Sequence, residues 1–513
     1  ADIAEASEQD GRTIGNASHG IDHGVHELVD HGASVAHAFG IVEATDTAGV
    51  SLCDPARYFD CSTGHEEPLM TEGKDMPSEV QSTSSPATAE DTATVRRAVL
   101  ACAAGQAFEI FDFVIYGFFA IAIGRAFFPA TDPAASLLAS FATFAVGFLF
   151  RPVGAIVIGY YGDRYGRRKA LVVTIGMMAC ATGITGLIPS YSSIGLWAPI
   201  LLVICRMLQG FSTGGEWGGA AAFLVEHAPA GRRGFIGSFQ QAATAIGAMG
   251  ATFSAAVLSS SMSSDSFFTW GWRIPFLIGF VLGPIGYYLR TRVAETPAFQ
   301  RAVETQTIKR MPIAEAFAEH GGMFLAAFGL SIIGCVINYV FLVFLPSFAS
   351  QTLKIDLSRA LWSTALAGTL YLVLTPIVGH YSDRVGRKPM LFACSLLSLI
   401  MAYPLFMFLR AYPSFWGLLV VQATAQAVLT LYTGVISTIL SEMFPTNVRY
   451  TALSVSYGFA VAIFGGFAPY ISTFLVRATG DVLAPSYYVM AAGVVSGIAV
   501  LFVHERHRAP VLA

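Results

Sequence analysis

From about residue 97 the chain alternates long apolar runs with short polar breaks. Twelve runs stand out: 97–123, 136–160, 170–189, 196–226, 235–258, 270–290, 323–348, 361–381, 389–409, 414–441, 450–475 and 485–503. Each is close to or above the roughly 20 residues that a helix needs to cross the hydrocarbon core of a bilayer. The pattern predicts an all-α membrane protein with twelve spanning helices. The longest break, 291–322, is polar and basic. It separates six runs within 95–290 from six within 323–505, and leaves 506–513 as a short tail.

One polar break occurs twice. Gly159–Ala170 reads GYYGDRYGRRKA and Gly379–Met390 reads GHYSDRVGRKPM, sharing G-x-x-x-D-R-x-G-R-[RK]. A charged loop duplicated inside a duplicated apolar array marks an internal repeat, as in transporters built from two related halves. Each half also carries an acid followed by E-x-x-P and a closing arginine: Glu226 with Arg233, and Glu442 with Arg449. Two ion-pair clusters follow as an expectation. One holds Asp163, Arg167, Arg168, Glu226 and Arg233, the other Asp383, Arg387, Glu442 and Arg449, with Arg164 and Arg384 in the same loops. Such clusters can latch two helix bundles and release as they rock. The plainer alternative is that the charges only mark topology.

The basic residues set an orientation. With both termini in the cytoplasm, nineteen lysines and arginines of the loops lie on that side. Six lie opposite: Arg125, Arg273, Lys354, Arg359, Arg410 and Arg477. Composition agrees with a membrane protein: 54% of residues are hydrophobic and 12% charged, against about 25% charged in soluble domains. The net charge of −4 gives no footing for nucleic acid. Cys102, Cys180, Cys205, Cys335 and Cys394 sit in apolar runs as small hydrophobes, and Cys53 and Cys61 carry no strong case for a disulfide.

Residues 1–94 have no apolar run of spanning length and lack the features of a signal peptide. Their polar, acidic composition reads as disordered. His19, His23 and His26 would share a helical face, a spacing seen in metal sites, but chance histidines in a polar tail are the plainer reading, and no metal site is expected. Met70 and Met76 are alternative starts of the natural chain.

Charges within the spans are costly and usually functional. The first run holds Glu109 and Asp112, with Tyr116 extending the same face; the second holds Arg151; the fourth holds Arg206, Gln209 and Glu216. Buried arginines suit a carboxylate, which they can bind in bidentate fashion, and acids in the same region can relay protons. Arg206, Gln209, Tyr116 and Arg151 are therefore candidates for substrate binding, and Asp112, Glu109 and Glu216 for proton coupling. Gln240 and Gln241 of the fifth run, Asn338 and Tyr339 of the seventh, Tyr371 and Tyr457 are weaker polar candidates; of these, Gln241, Asn338 and Tyr339 join the substrate set. Structural pairing, for example of Asp112 with Arg206, is the competing reading.

These residues resemble a known pattern. The repeated loops match the loop motif of the major facilitator superfamily. FEIFDFVIYGFFA, RMLQGFSTGGEWGGA, GFIGSFQQ, WGWRIPF, ETPAF and EMFPTNVRYTALSVSYGFAVAIFGGFAPYIST resemble its metabolite:proton symporter family over about 97–503. AVAIFGGFAPYIST and Thr479–Asp481 look most like the citrate and tricarballylate branch; GGEWGG at Gly214–Gly219 is the form of other branches. The resemblance implies two six-helix bundles, alternating access and symport of an organic acid or zwitterionic osmolyte with protons. It also implies a monomer in a bacterial inner membrane, with the bilayer and a small organic anion as its partners.

No phosphate-binding G-x-x-x-x-G-K-[ST] loop occurs, so an ion gradient is the expected driving force and no cofactor beyond protons is needed. The leading reading is a proton-coupled importer of a carboxylate metabolite such as citrate. A symporter of proline or betaine is the alternative, distinguished by a pocket with one arginine for a single carboxylate and aromatic groups around the cation. A membrane sensor without transport is the alternative of another class; an enzyme is not expected.

Overall fold

The computed structural model describes residues 89–165, 167–214, 216–226, 228–229, 231–291, 313–503 and 505. The expected tail 1–94 up to residue 88, most of the linker and residues 506–513 lie outside the described residues, as do the side chains of Asp163, Arg164, Arg167, Arg168 and Glu216.

All twelve apolar runs are helical. They form α1 (Ala89–Phe118, continued by Ala120–Phe127), α2 (Pro133–Tyr165), α3 (Arg167–Leu187) and α4 (Trp197–Thr213 and Glu216–Glu226). Next come α5 (Arg233–Ser261), α6 (Ile274–Thr291), α7 (Ile313–Tyr339 through to Leu345–Gln351) and α8 (Leu357–Val385). The last four are α9 (Lys388–Ala411), α10 (Phe415–Thr433 and Ile436–Met443), α11 (Thr446–Ala460 through to Ala468–Thr479) and α12 (Ala484–Phe502). Among the described residues, eight helices are long and apolar enough to cross a membrane, and the two parts of α1, bent by 62°, make a ninth. α3 and α6 are helical over shorter apolar stretches, Val172–Leu187 and Gly271–Ile285. α4 is described in two parts, Trp197–Thr213 and Glu216–Glu226.

The usual distribution of polarity is inverted. Leu325, Trp416, Ile498 and Phe502 face outward, while Arg206, Arg387 and Arg449 are among the largest fully buried side chains. Lipid is the solvent that makes such an exterior favourable.

With no hydrophobic drive between helices in lipid, close backbone approach does much of the packing. At the α2–α4 crossing a Cβ on Gly210 would lie 1.6 Å from the Gly147 carbonyl oxygen, and one on Gly214 2.1 Å from that of Arg151. At the α5–α8 crossing between the bundles, a Cβ on Gly234 would lie 2.5 Å from the Gly379 carbonyl oxygen. In both places only a residue without a side chain fits.

Two helices of the second bundle change winding beside the centre of the molecule. A π-helical turn occupies Val340–Phe344 in α7 and another Val461–Gly466 in α11. Such turns interrupt the regular hydrogen-bond ladder and are frequent at functional sites. The second brings Gly465 against the Tyr339 ring and Gly466 against Phe148 of the first bundle.

Candidate transport site and gates

A small cavity of about 20 Å³ lies where the bundles meet. Ile110 and Val114 of α1 and Thr244 and Met249 of α5 line it from the first bundle; Asn338, Tyr339, Tyr371 and Gln426 line it from the second. The two bundles touch on both sides of it. Towards the repeated loops, here the loop end, the rings of Trp217 and Tyr457 stack at 3.6 Å and 9°. At the other end Gly117 packs on Val343, and Arg477 pairs with Asp132 at 2.9 Å.

Arg206 stands one aromatic layer behind this cavity. It is fully buried, with its guanidinium over the rings of Phe113 (4.4 Å), Tyr116 (4.7 Å) and Phe144 (5.3 Å). Phe144 in turn meets Tyr339 of the cavity wall, ring centroids 6.1 Å apart. Nη1 donates to Gln209 Oε1 at 2.6 Å, and Gln209 Nε2 donates to Thr182 at 2.9 Å. Nε and Nη2 have no hydrogen-bond partner. An arginine so placed is oriented by neutral groups, and no acid among the described residues pairs with it. A buried cation is strongly costly unless something answers it.

The other candidates are distributed differently from the sequence expectation. Asn338 and Tyr339 are on the cavity wall. Gln209 is occupied in holding Arg206, and the Tyr116 hydroxyl donates to the Ser140 carbonyl at 3.3 Å. Arg151 pairs with Glu109 at 3.4 Å and lies over the rings of Phe113 and Phe148. Gln241 is buried but off the wall, whereas Gln240 accepts from Ser437 across the bundles at 2.7 Å. Asp112 does not meet Arg206: its Oδ1 points towards Gly279 of α6 and has no hydrogen-bond partner.

At the loop end Asp383, Arg387 and Glu442 group within the second half as expected, and two further pairs run across the bundles. Arg449 of the second bundle donates to Glu226 of the first at 2.6 Å, and Arg233 of the first lies 3.9 Å from Glu442 of the second. Helix placement allows this: the end of α4 and the start of α5 face α10 and α11, although Glu442 lies nearer to Arg387 of its own half, at 3.3 Å. Asp383 accepts from the backbone amides of Gly234 (2.8 Å) and Phe235 (3.0 Å), the start of α5. This caps the helix and complements its dipole from another bundle. Arg387 bridges Asp383 at 2.9 Å and Glu442 at 3.3 Å, and its backbone amide donates to Glu505 beyond α12. Arg384 is exposed beside this cluster. The equivalent loop of the first bundle, with Asp163, Arg164, Arg167 and Arg168, lies outside the described side chains.

Sequence reasoning missed three contributors: Glu505, the Trp217–Tyr457 stack and Gln426. Trp217 and Tyr457 lie in quoted motifs, yet no single-helix pattern says that they face each other. Gln426 shares its run with Gln422 and Thr424, so the pattern of that run does not single it out.

The comparisons with known proteins agree with this architecture. Residues 98–316 match the family model of sugar (and other) transporters and residues 321–512 that of the major facilitator superfamily. The chain is 37% identical over 432 residues to the proline/betaine transporter of Salmonella typhimurium, covering 82% of this chain and 85% of that one. It is also 37% identical over 412 residues to the citrate-proton symporter of Klebsiella pneumoniae, covering 80% and 92%. The crystal structure of a D-xylose-proton symporter superposes with a TM-score of 0.63 at 20% identity, over 82% of this chain and 98% of that one. The equal identities do not single out the citrate branch.

Proposed function

The chain belongs to the major facilitator superfamily, and from that premise we propose that it is a proton symporter of a small metabolite carrying one carboxylate. A zwitterion of the proline or betaine kind is the leading substrate class. The observation that carries this reading is Arg206, buried beside the central cavity with two nitrogens unanswered. Arg151 is already balanced by Glu109. Arg206 stands one aromatic layer behind the cavity, whose walls supply Asn338, Gln426 and the rings of Tyr339 and Tyr371. One carboxylate for Arg206 and aromatic faces for a quaternary or secondary ammonium suit a zwitterion.

Asp112 is the proton-carrying group in this reading. It is a buried acid in the same bundle with an unpartnered oxygen, and charged groups at such depth serve coupling more often than packing. The loops and both termini face the cytoplasm of a bacterial inner membrane, the loop-end pairs form the inner gate, and the bundles rock about the cavity as a monomer.

A second reading, an organic anion such as citrate, is favoured by one observation. The Glu109–Arg151 pair stands within reach of the same aromatic cluster as Arg206. Protonation of Glu109 would free a second cation.

Uptake of labelled glycine betaine, proline, shikimate and citrate into proteoliposomes under an imposed inward proton gradient tests the assignment. Accumulation of glycine betaine or proline, abolished by a protonophore, is the expected outcome. Accumulation of citrate alone moves the assignment to the anion reading. Uphill uptake that survives the protonophore overturns proton coupling.

A further inference from the structure

We propose that the coupling proton reaches Asp112 and leaves it through a pocket inside the first bundle, separate from the substrate cavity. The inference rests on the reading of Asp112 as the proton carrier and adds the route.

α1 presents two faces to two cavities. The central cavity takes Ile110 and Val114. A second pocket of about 40 Å³ takes Gly105, Phe108, Glu109 and Asp112. Ile110 and Val114 are each two residues from Asp112, hence about 160° around the helix from it. The carboxylate thus faces away from the substrate cavity. Its remaining walls come from α3, α4 and α6, all of the first bundle, with Thr174, Ser212 and Thr213 as the hydroxyl-bearing side chains.

Two glycines of α6 make the room. A Cβ on Gly279 would lie 2.2 Å from Asp112 Oδ1, and one on Gly283, itself on the pocket wall, 2.4 Å from Ala179 Cβ. Among the described residues that line the pocket, the other charged group is Glu109 on the same helix, which is paired with Arg151 of α2. Thr182 of α3 also packs close, its Cγ2 sharing the space at Gly279.

About 10–15 Å³ suffices for one water when polar partners are present, so this space has room for water between the carboxylate and the pocket hydroxyls. Deprotonation breaks the O–H bond of the Asp112 carboxyl, passes the proton to water or a hydroxyl of the pocket and leaves the carboxylate. Substrate and proton then share a helix, α1, but not a path. Occupancy of one face can alter the other without contact between the two ligands.

The test compares two modes of transport in proteoliposomes, with labelled glycine betaine or citrate, whichever the unaltered protein accumulates. Gradient-driven accumulation needs the proton to leave on every cycle, and interior pyranine reports its arrival. Exchange at equal pH on both sides cycles the loaded carrier and does not need that step. Ser212→Val fills the pocket; Thr174→Val removes a hydroxyl with little change of shape. Both variants are expected to keep exchange near the unaltered rate while losing tenfold or more in accumulation and in pyranine response. Unaltered accumulation in both variants overturns the separate route. So does parallel loss of exchange and accumulation in Thr174→Val. Asp112→Asn is the reference and should lose accumulation. If it accumulates normally, the assignment of Asp112 itself falls. If it fails while both pocket variants accumulate normally, that assignment stands and only the route falls.

Discussion

Arg206 concentrates the residue-scale question. Its Nη1 is held by Gln209, yet Nε and Nη2 are unanswered in a fully buried position. A planar fork so presented is suited to a carboxylate, and an ammonium does not reproduce it. Arg206→Lys is therefore expected to weaken substrate binding by about 10- to 150-fold, the equivalent of a charge-assisted hydrogen bond of roughly 1.5–3 kcal/mol. Equilibrium binding in a variant shown to insert and remain monodisperse checks this; unchanged affinity would make Arg206 a packing residue. The sequence disclosed that Arg206, Asp112, Glu109 and Arg151 are buried charges, because their surroundings in the chain are uniformly apolar. Their partners were not legible. Gln209 looked like a ligand contact and proves to be the brace of Arg206, because residues three apart on a helix meet each other before anything else.

Elements make the gate. The start of α5 has its Gly234 and Phe235 amides satisfied by Asp383 of α8, a side chain from the other bundle. Opening the loop end must break this cap and expose helix donors that only water can then satisfy. Replacement Asp383→Asn keeps one acceptor oxygen and removes the charge. The lost interaction with the helix terminus is worth about 0.3–2 kcal/mol, so the population open at the loop end should rise by roughly 2- to 30-fold. The labelling rate of a cysteine introduced into the loop-end vestibule measures it, and an unchanged rate would show that the cap contributes nothing to closure. The α2–α4 crossing supplies a different test. Gly210→Val puts a branched side chain where even a Cβ would meet the Gly147 carbonyl oxygen. Overpacking costs about 1–3 kcal/mol where helices can adjust, and two backbones in contact adjust little; the expected result is a sharp fall in the yield of folded protein, read by size-exclusion profile. Apolar periodicity located all twelve helices, since length and hydropathy are local properties. It missed the π-helical turns of α7 and α11, which depend on what packs against them.

The whole molecule is two bundles joined by reciprocal contacts. Duplication of the D-R-x-G-R loop and of the E-x-x-P segment was visible in the chain, but it suggested that each half closes its own cluster. The structure keeps Arg387 with Asp383 and Glu442 in the second half and adds pairs between the halves: Arg449 with Glu226, and Arg233 near Glu442. Pairing between halves is what a latch requires, because a pair within one bundle is unaffected by rocking, whereas a pair between bundles is lost whenever they part. A charge reversal separates the two arrangements. Glu226→Arg alone, or Arg449→Glu alone, sets like charges against each other across the bundles and should raise vestibule labelling several-fold. Arg449 is nearly fully buried and Glu226 about one-third exposed, so the arginine variant should be the more disruptive; loss of one partner of a buried pair costs up to about 3–5 kcal/mol. The double variant Glu226→Arg/Arg449→Glu restores opposite charges and should bring labelling and transport back towards their original values. A double variant no better than the worse single one would show that these two residues do not act on each other, and closure of the loop end would then rest on Asp383, the Trp217–Tyr457 stack and the Gln240–Ser437 hydrogen bond.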